Sequence, residues 1–194
     1  MDYLAKMKED YDPLVPDLKL DYSKVELYLD LRKRKKEEIL KDTSGVETCS
    51  RYICEGFIGL FYDSEKGPVL SEIFQATDVA FDFQSYLKGE KTENYIKCLS
   101  DVVYYELSIK AEMTLIQNYP DFAKLGLKIN HRLLRRLYQR SRIKVMGITK
   151  GYREFVEFMP EVELHLSQSK IASYFSCSER TVREVQHALK SGKL

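Results

Sequence analysis

Residues 170–186 read KIASYFSCSERTVREVQ, and the polar side chains in and just before this stretch are the ones best placed to do chemistry. Ser178 has the form of a helix N-cap, and the turns that follow present Glu179, Arg180, Arg183 and Glu184. Arginine can give two hydrogen bonds to a guanine edge, whereas glutamate can only accept from a donor such as the cytosine amine. Ser167, Gln168 and Lys170 open the helix before it. Nowhere does the sequence show a nucleophile–base motif, a phosphate loop or a metal-ligand spacing, so these groups read as recognition chemistry and no enzyme is expected.

Two short helices must position them. Ser167 caps the first, with Ile171 and Phe175 inward and Ala172 at the point of closest contact. Val182, Val185 and Leu189 form the inner face of the second at i, i+3 and i+7. Ala172, Ser176 and Val182 stand at offsets 0, +4 and +10, the spacing of a helix-turn-helix, with the alternative of an ordinary helical hairpin. The turn position needs left-handed backbone, so a serine there should cost about 1 kcal/mol relative to glycine.

Upstream, IKAEMTLIQNY reads as one helix, and Pro120 opens a longer one that runs to Met146 before Gly147. It has two apolar stripes. Phe122, Leu125, Ile129, Leu133 and Leu137 form the first; Leu127, Leu134, Tyr138 and Val145 form the second, on another side. A helix with two apolar faces packs against two things: here the body of the chain and the same helix of a second copy, with Leu127, His131, Leu134 and Tyr138 at the seam and Gly126 allowing close approach. Arg132, Arg135, Arg136, Arg140 and Arg142 argue against burying the whole helix in one protomer. Thr149 can cap a further helix, GYREFVEFM.

From about 37 to 107, short β-rich runs alternate with turn signals: EEIL, SRYICEG, FIGLFY, PVLSEIF, VAFDF, NYIKCL and VVYYEL. That rhythm predicts an antiparallel barrel or sandwich. Glu55-Gly56 predicts a tight hairpin between two of the runs. Ahead of them, a short helix and an extended lead-in fill the first 20 residues. Ser23-Lys24-Val25-Glu26 opens a second helical run through Leu31, and RKRKK at 32–36 reads as a solvated strand edge or turn.

The net charge of +1 hides an asymmetry. Residues 1–130 carry 18 Lys/Arg and 24 Asp/Glu, a net −6; residues 131–194 carry 13 and 6, a net +7. A basic half of this kind predicts a polyanionic partner. The four cysteines, Cys49, Cys54, Cys98 and Cys177, are scattered and predict buried free thiols. The charged start MDYLAKMKED and the lack of a long apolar run predict a cytoplasmic protein that does not enter a membrane.

IASYFSCSERTV is similar to the DNA-binding motif of the cyclic-AMP receptor protein/Fnr (Crp/Fnr) family of bacterial transcription regulators, and the order of elements over roughly residues 20–190 resembles that family too. The resemblance implies an α+β fold: residues 1–119 an antiparallel β-roll of the cyclic-nucleotide-binding type with short N-terminal helices, 120–146 a dimerisation helix, and 147–194 a helix-turn-helix domain. It implies double-stranded DNA, a second copy of the chain and RNA polymerase as partners, and no cofactor. Ser167 and Gln168 match family positions that touch phosphate, with Lys170 beside them, and the second helix lies in the major groove. Well-known members begin that helix with Arg-Glu and carry another arginine four residues after that glutamate. Here the matching residues are Glu179, Arg180 and Glu184, so the family's sequence preference does not transfer, and Arg180 and Arg183 are left as the base readers. The sequence stops at Leu194, so most of the β-wing of longer members is expected to be missing.

Cyclic-nucleotide-binding members hold the phosphate with an arginine after a Gly-Glu pair. The matching region, VAFDFQSYLKGEKTENYI at 79–96, has no arginine, and the pair is replaced near Phe81-Asp82. Asp82, Ser85, Tyr86, Lys88 and Lys91 are the effector-pocket candidates, but two lysines are only flexible point charges. Cyclic-AMP binding is therefore not expected, and the effector is unknown. The cysteine spacing does not reproduce an iron–sulfur pattern, and His131, His165 and His187 are too dispersed for a haem site. A second reading stays open: a degenerate family member that works as a protein-interaction or small-molecule-sensing module without sequence-specific DNA binding.

Overall fold

Alternating strands, each with one apolar face, need a second sheet to cover that face, and the chain supplies it. A computed structural model describes residues 2–192. After α1 (Tyr3–Tyr11), a single turn at Asp12–Leu14 and α2 (Ser23–Glu26), eight strands follow: β1 (Leu29–Arg34), β2 (Ile39–Lys41), β3 (Cys49–Glu55), β4 (Ile58–Ser64), β5 (Gly67–Phe74), β6 (Val79–Ala80), β7 (Asn94–Cys98) and β8 (Val102–Ser108), with α3 (Phe83–Lys88) between β6 and β7. They form two antiparallel sheets, β1-β8-β3-β6 and β2-β7-β4-β5. Inward residues such as Ile53, Ile58, Phe74, Ile96, Cys98 and Tyr104 fill the space between the sheets. The opposite face of the first sheet is apolar as well: Tyr52, Cys54 and Tyr105 pack under Met7, Tyr11, Val15, Tyr22 and Leu125.

Seven of the eight strands lie in the expected runs; β1 does not. The helical run expected to reach Leu31 stops at Glu26, because Leu29–Arg34 pair residue by residue with β8, from Leu29 opposite Leu107 to Arg34 opposite Val102. β1 is an edge strand, so RKRKK is the solvated edge its composition predicts, and its charges block further strand pairing. The Glu55-Gly56 hairpin is corrected too. β3 and β4 lie in different sheets, and the chain crosses between them at Gly56, where φ is +86° and a Cβ would come 2.2 Å from the Asp101 carbonyl oxygen. The β4–β5 pair is the real hairpin, closed with Ser64 opposite Gly67. VAFDF is a strand only over Val79–Ala80, since Asp82 then caps α3 by accepting from the Ser85 N–H.

α4 (Ile109–Asn118) and α5 (Pro120–Val145) follow β8, and α5 is 26 residues long, as the apolar stripes require. Its arginines divide: Arg135 and Arg142 are exposed, and the other three turn to the roll. Arg132, Arg136, Arg140 and Lys144 recur every four residues and so share one face. They are not solvent-facing: Arg140 is 1% exposed and Arg132 9%. Arg132 Nη1 is 2.9 Å from Asp10, Arg140 bridges Glu72 and Asp78 at 3.1 Å each, Arg136 pairs with Asp78, and Lys144 reaches Glu72 at 2.8 Å. Burial of arginine is possible here because each cation meets a carboxylate of the N-terminal half.

The helix direction changes at Gly147 (φ +69°), and α6 (Gly147–Phe158) begins there directly, ahead of Thr149. α7 (Val162–His165), α8 (Gln168–Tyr174) and α9 (Glu179–Lys190) complete the chain. Their apolar faces share one core with the roll, in which Phe61, Leu70 and Ile73 meet Phe155, Ile171 and Phe175.

Candidate nucleic-acid interface

Three serines in the last 30 positions are placed by local rules. Ser167 caps α8 by accepting from the Lys170 N–H at 3.2 Å, and Ser178 caps α9 by accepting from the Thr181 N–H at 3.1 Å. Between them Ser176 holds φ +53°, the left-handed turn its spacing requires, and the next N–H, of Cys177, bonds the Ala172 carbonyl at 2.9 Å. Ala172, Val182 and Val185 are buried where the two helices meet.

The opposite face of α9 is open. Glu179, Arg180, Arg183 and Glu184 are all exposed, and they pair along their own helix: Arg180 Nε to Glu184 Oε1 at 2.8 Å, Arg183 Nη1 to Glu179 Oε2 at 3.8 Å. The Glu184 carboxylate holds the Arg180 guanidinium further toward its charged form. Ser167 is exposed beside Ser169. Gln168 is turned inward: its Nε2 donates to Gln186 Oε1 at 2.9 Å, and Gln186 in turn donates to the Tyr152 hydroxyl at 2.8 Å. Lys170 reaches the other way, to Glu37 in the turn after β1. Glu37 has a left-handed backbone (φ +71°) and also accepts from Lys97; the bond from Lys170 is the main reason its carboxyl lies below the usual range. The structure thus groups Ser178, Glu179, Arg180, Arg183 and Glu184 on one free surface, leaves Ser167 at its edge, and ties Gln168 and Lys170 to protein partners.

The effector-pocket candidates are not brought together. Asp82 and Ser85 are buried, Tyr86 bonds Glu112 of α4, and Lys88 and Lys91 stand in solvent. Asp82 is fully engaged. Lys41 Nζ lies 3.0 Å from its Oδ2, Thr92 donates to the same oxygen, and Asn94 approaches the other at 3.3 Å. Burial pushes the Asp82 carboxyl up, but these hydrogen bonds outweigh it and hold the group below its usual range. A second buried pair lies close by: Arg51 Nη1 and Nη2 hold Glu47 at 2.9 and 3.2 Å, and Ser85 Oγ receives the Glu47 N–H. Sequence reasoning missed Lys41, Glu47 and Arg51. The available signal was the position of Arg51 on the inward parity of β3, shared with Ile53.

On α5, Leu127, Leu134, Tyr138 and Val145 are 55%, 60%, 73% and 85% exposed, and His131 is exposed among them. Gly126 faces the roll side instead, lining a cavity. All four cysteines are free, and burial pushes the Cys49 and Cys98 thiols up to about 12. Among the described residues no three His, Cys, Asp or Glu side chains are grouped to hold a metal, and no helix is long and apolar enough to cross a membrane.

No protein-family model and no curated protein matches the sequence. Solved structures do match. The CLP protein of Xanthomonas campestris, described as a c-di-GMP responsive global regulator linking cell–cell signalling to virulence gene expression, is 16% identical over 90% of this chain and 94% of its own, with a TM-score of 0.66. A CooA variant from Carboxydothermus hydrogenoformans is 17% identical over 92% of this chain and 84% of its own, with a TM-score of 0.64. A cyclic nucleotide-binding domain from Methylobacillus flagellatus is 16% identical over 74% of this chain and 83% of its own, with a TM-score of 0.61. Two antiparallel sheets, a long helix and a terminal helix-turn-helix in this order are the fold of the Crp/Fnr regulators, and this chain has that fold.

Proposed function

We propose that the chain is a homodimeric regulator of transcription that binds double-stranded DNA through α9 and does not respond to cyclic AMP. The observation that carries this reading is the turn. Ser176 accepts left-handed strain so that α9, capped by Ser178, stands on the protein with its polar face bare. Burial of Val182 and Val185 offsets the strain, and the turn leaves a charged helix face whose ion pairs, among the described residues, are all within α9. Description of a neighbour of this fold as a global regulator supports the reading. Residues 1–119, 120–146 and 147–194 are then the effector-type roll, the dimerisation helix and the DNA-binding unit, with RNA polymerase as a further partner. No catalytic step is part of it.

Dimerisation is supported by the exposed stripe on α5, where four large apolar side chains line one side of a helix whose other side carries buried arginines. Leu134→Glu with Tyr138→Lys should convert dimers to monomers in sedimentation velocity at micromolar concentration. A wild type that is already monomeric there rules the dimer out. Insensitivity to cyclic AMP is supported by the filled roll: Lys41 and Arg51 already hold carboxylates, so a cyclic phosphate would have to displace Asp82 or Glu47. Calorimetry should detect no binding of cyclic AMP, and a low-micromolar Kd would refute this.

Selection of bound sequences from random duplexes tests the central claim, with one enriched motif expected. The specific observation behind the second reading, a sensing or interaction module without sequence-specific binding, is that Glu179 and Glu184 neutralise both α9 arginines. Failure to bind any duplex at low salt would select that reading. Under the first, Ser167 and Lys170 contact phosphate, and Lys170 must leave Glu37 to do so.

A further inference from the structure

The outer face of the β1-β8-β3-β6 sheet and α5 do not close on each other. Between them lies a cavity of about 230 Å³, floored by Tyr52 and Leu107, roofed by Leu125 and Ile129, and bounded on the open side by α3 and α4. This is a different place from the space between the two sheets. Arg51 and Ile53 point inward on β3, whereas Ser50 and Tyr52 point outward to the cavity. We propose that this cavity binds an uncharged, largely apolar small molecule, two fused rings in size, carrying one hydrogen-bond donor.

Size sets the first limit. A dry apolar cavity of ~150 Å³ takes a benzene ring, so this one has room for a second ring. Charge sets the next. No lysine, arginine or histidine lines the space, while Glu112 does, so an anion meets repulsion with no compensating cation. The donor follows from the same residue. Glu112 Oε2 accepts the Tyr86 hydroxyl, and its other oxygen has no protein donor among the described residues. A ligand N–H or O–H can supply one.

Gly126 is the independent sign that the space is kept open. Glycine in a helix interior is disfavoured, and α5 tolerates one in its second turn. Close packing within the protomer does not demand it, because a Cβ built there meets nothing within 4 Å. The residue lines the cavity, so any larger side chain at 126 would project toward the ligand's space. The mouth is apolar as well: Phe83 and Leu87 on α3 are 53% and 65% exposed. The site sits on the same helix whose next residue, Leu127, opens the exposed stripe. Its occupancy does not depend on whether α9 binds DNA.

The chain contains no tryptophan, so the emission of an added fused-ring probe is read against tyrosine alone. The probe is 2-naphthol, neutral and with one hydroxyl donor; its comparison is naphthalene-2-sulfonate, which is anionic. The full chain should bind 2-naphthol saturably at one per protomer, at least tenfold more tightly than the sulfonate. Excess cyclic AMP should not displace it. Gly126→Leu should reduce the affinity at least tenfold, with unchanged circular dichroism as the check on folding. Ile129→Phe narrows the cavity from another position, serves if the first variant does not fold, and should have the same effect. No saturable binding by wild type, binding that survives in a folded cavity-filling variant, or preference for the sulfonate would each overturn the proposal.

Discussion

Arg132, Arg136 and Arg140 on α5 and Arg180 and Arg183 on α9 are the same side chain, each facing carboxylates, yet the two sets do opposite things. On α5 the partners come from distant sequence, Asp10, Glu72 and Asp78, and the pairs are mostly buried. On α9 the partners sit four residues away on the same helix, and both members are exposed. Buried, a guanidinium has lost its water and depends on its acid; exposed, it keeps water and can change partners freely. The α5 ladder therefore fastens the long helix to the roll, while the α9 pairs leave arginines available to something else. The comparison also reinterprets the charge asymmetry. Much of the basic excess after residue 130 answers acids before it: Arg132, Arg136, Arg140, Lys144 and Lys170 all pair with carboxylates of the first half. The polyanion predicted from net charge is in good part the protein's own roll.

The largest expected effect is on the buried set. Arg140→Met removes the buried cation that Asp78 and Glu72 share, leaves each with one partner, Arg136 and Lys144, and should cost about 3 kcal/mol in urea denaturation. Arg140→Lys keeps a cation at this position and should cost less, because only the forked hydrogen-bond geometry is lost. A single-variant loss under about 1 kcal/mol, within reach of a surface pair, would erase the distinction between the two sets.

The exposed set should respond in binding and not in folding. Arg180→Ala or Arg183→Ala should weaken binding to a selected duplex by about tenfold to a hundredfold, and to a scrambled duplex far less, as for loss of a base contact. Their urea midpoints should match wild type. Equal losses on both duplexes would show that these arginines touch only phosphate.

What could be read in the sequence follows the range of the interactions. Both caps, the left-handed Ser176, the buried Val182 and Val185 and the full extent of α5 were legible because each depends on neighbours within a turn or two. β1 was not, since an amphipathic run after a good helix start becomes a strand only when β8 is there to pair with it. Gly56 misleads because a glycine between two strands marks a crossing as well as it marks a hairpin. The α5 arginines look solvent-facing in the sequence because their acids lie far away along the chain. The same limit hid Lys41 behind Asp82.

A smaller effect concerns the turn that presents the exposed set. Ser176→Gly removes the penalty of a side chain at φ +53° and should add up to about 1 kcal/mol of stability, less the extra freedom of glycine in the unfolded chain. DNA affinity should stay the same, because Ser176 only turns the chain. A loss of stability would mean that the serine side chain contributes more to the turn than its strain costs.

The smallest change separates the two sets most finely. Glu184 accepts from Arg180 at 2.8 Å, so in free protein the arginine is part-neutralised by its own helix. Under the proposed function the same carboxylate would stand among phosphates on DNA, where its charge is repelled. Glu184→Gln keeps the shape and removes the charge. Binding to scrambled duplex should strengthen by a few-fold at low salt. The slope of log affinity against log salt should steepen by up to about one, because Arg180 then displaces one more counterion. Preference for the selected duplex should fall only if Glu184 accepts from a cytosine amine. Affinities of wild type and Glu184→Gln for both duplexes, measured across a salt series, distinguish these cases. An unchanged slope would mean that Arg180 stays with its helix even on DNA, and the exposed pairs would then belong to the protein as fully as the buried ones do.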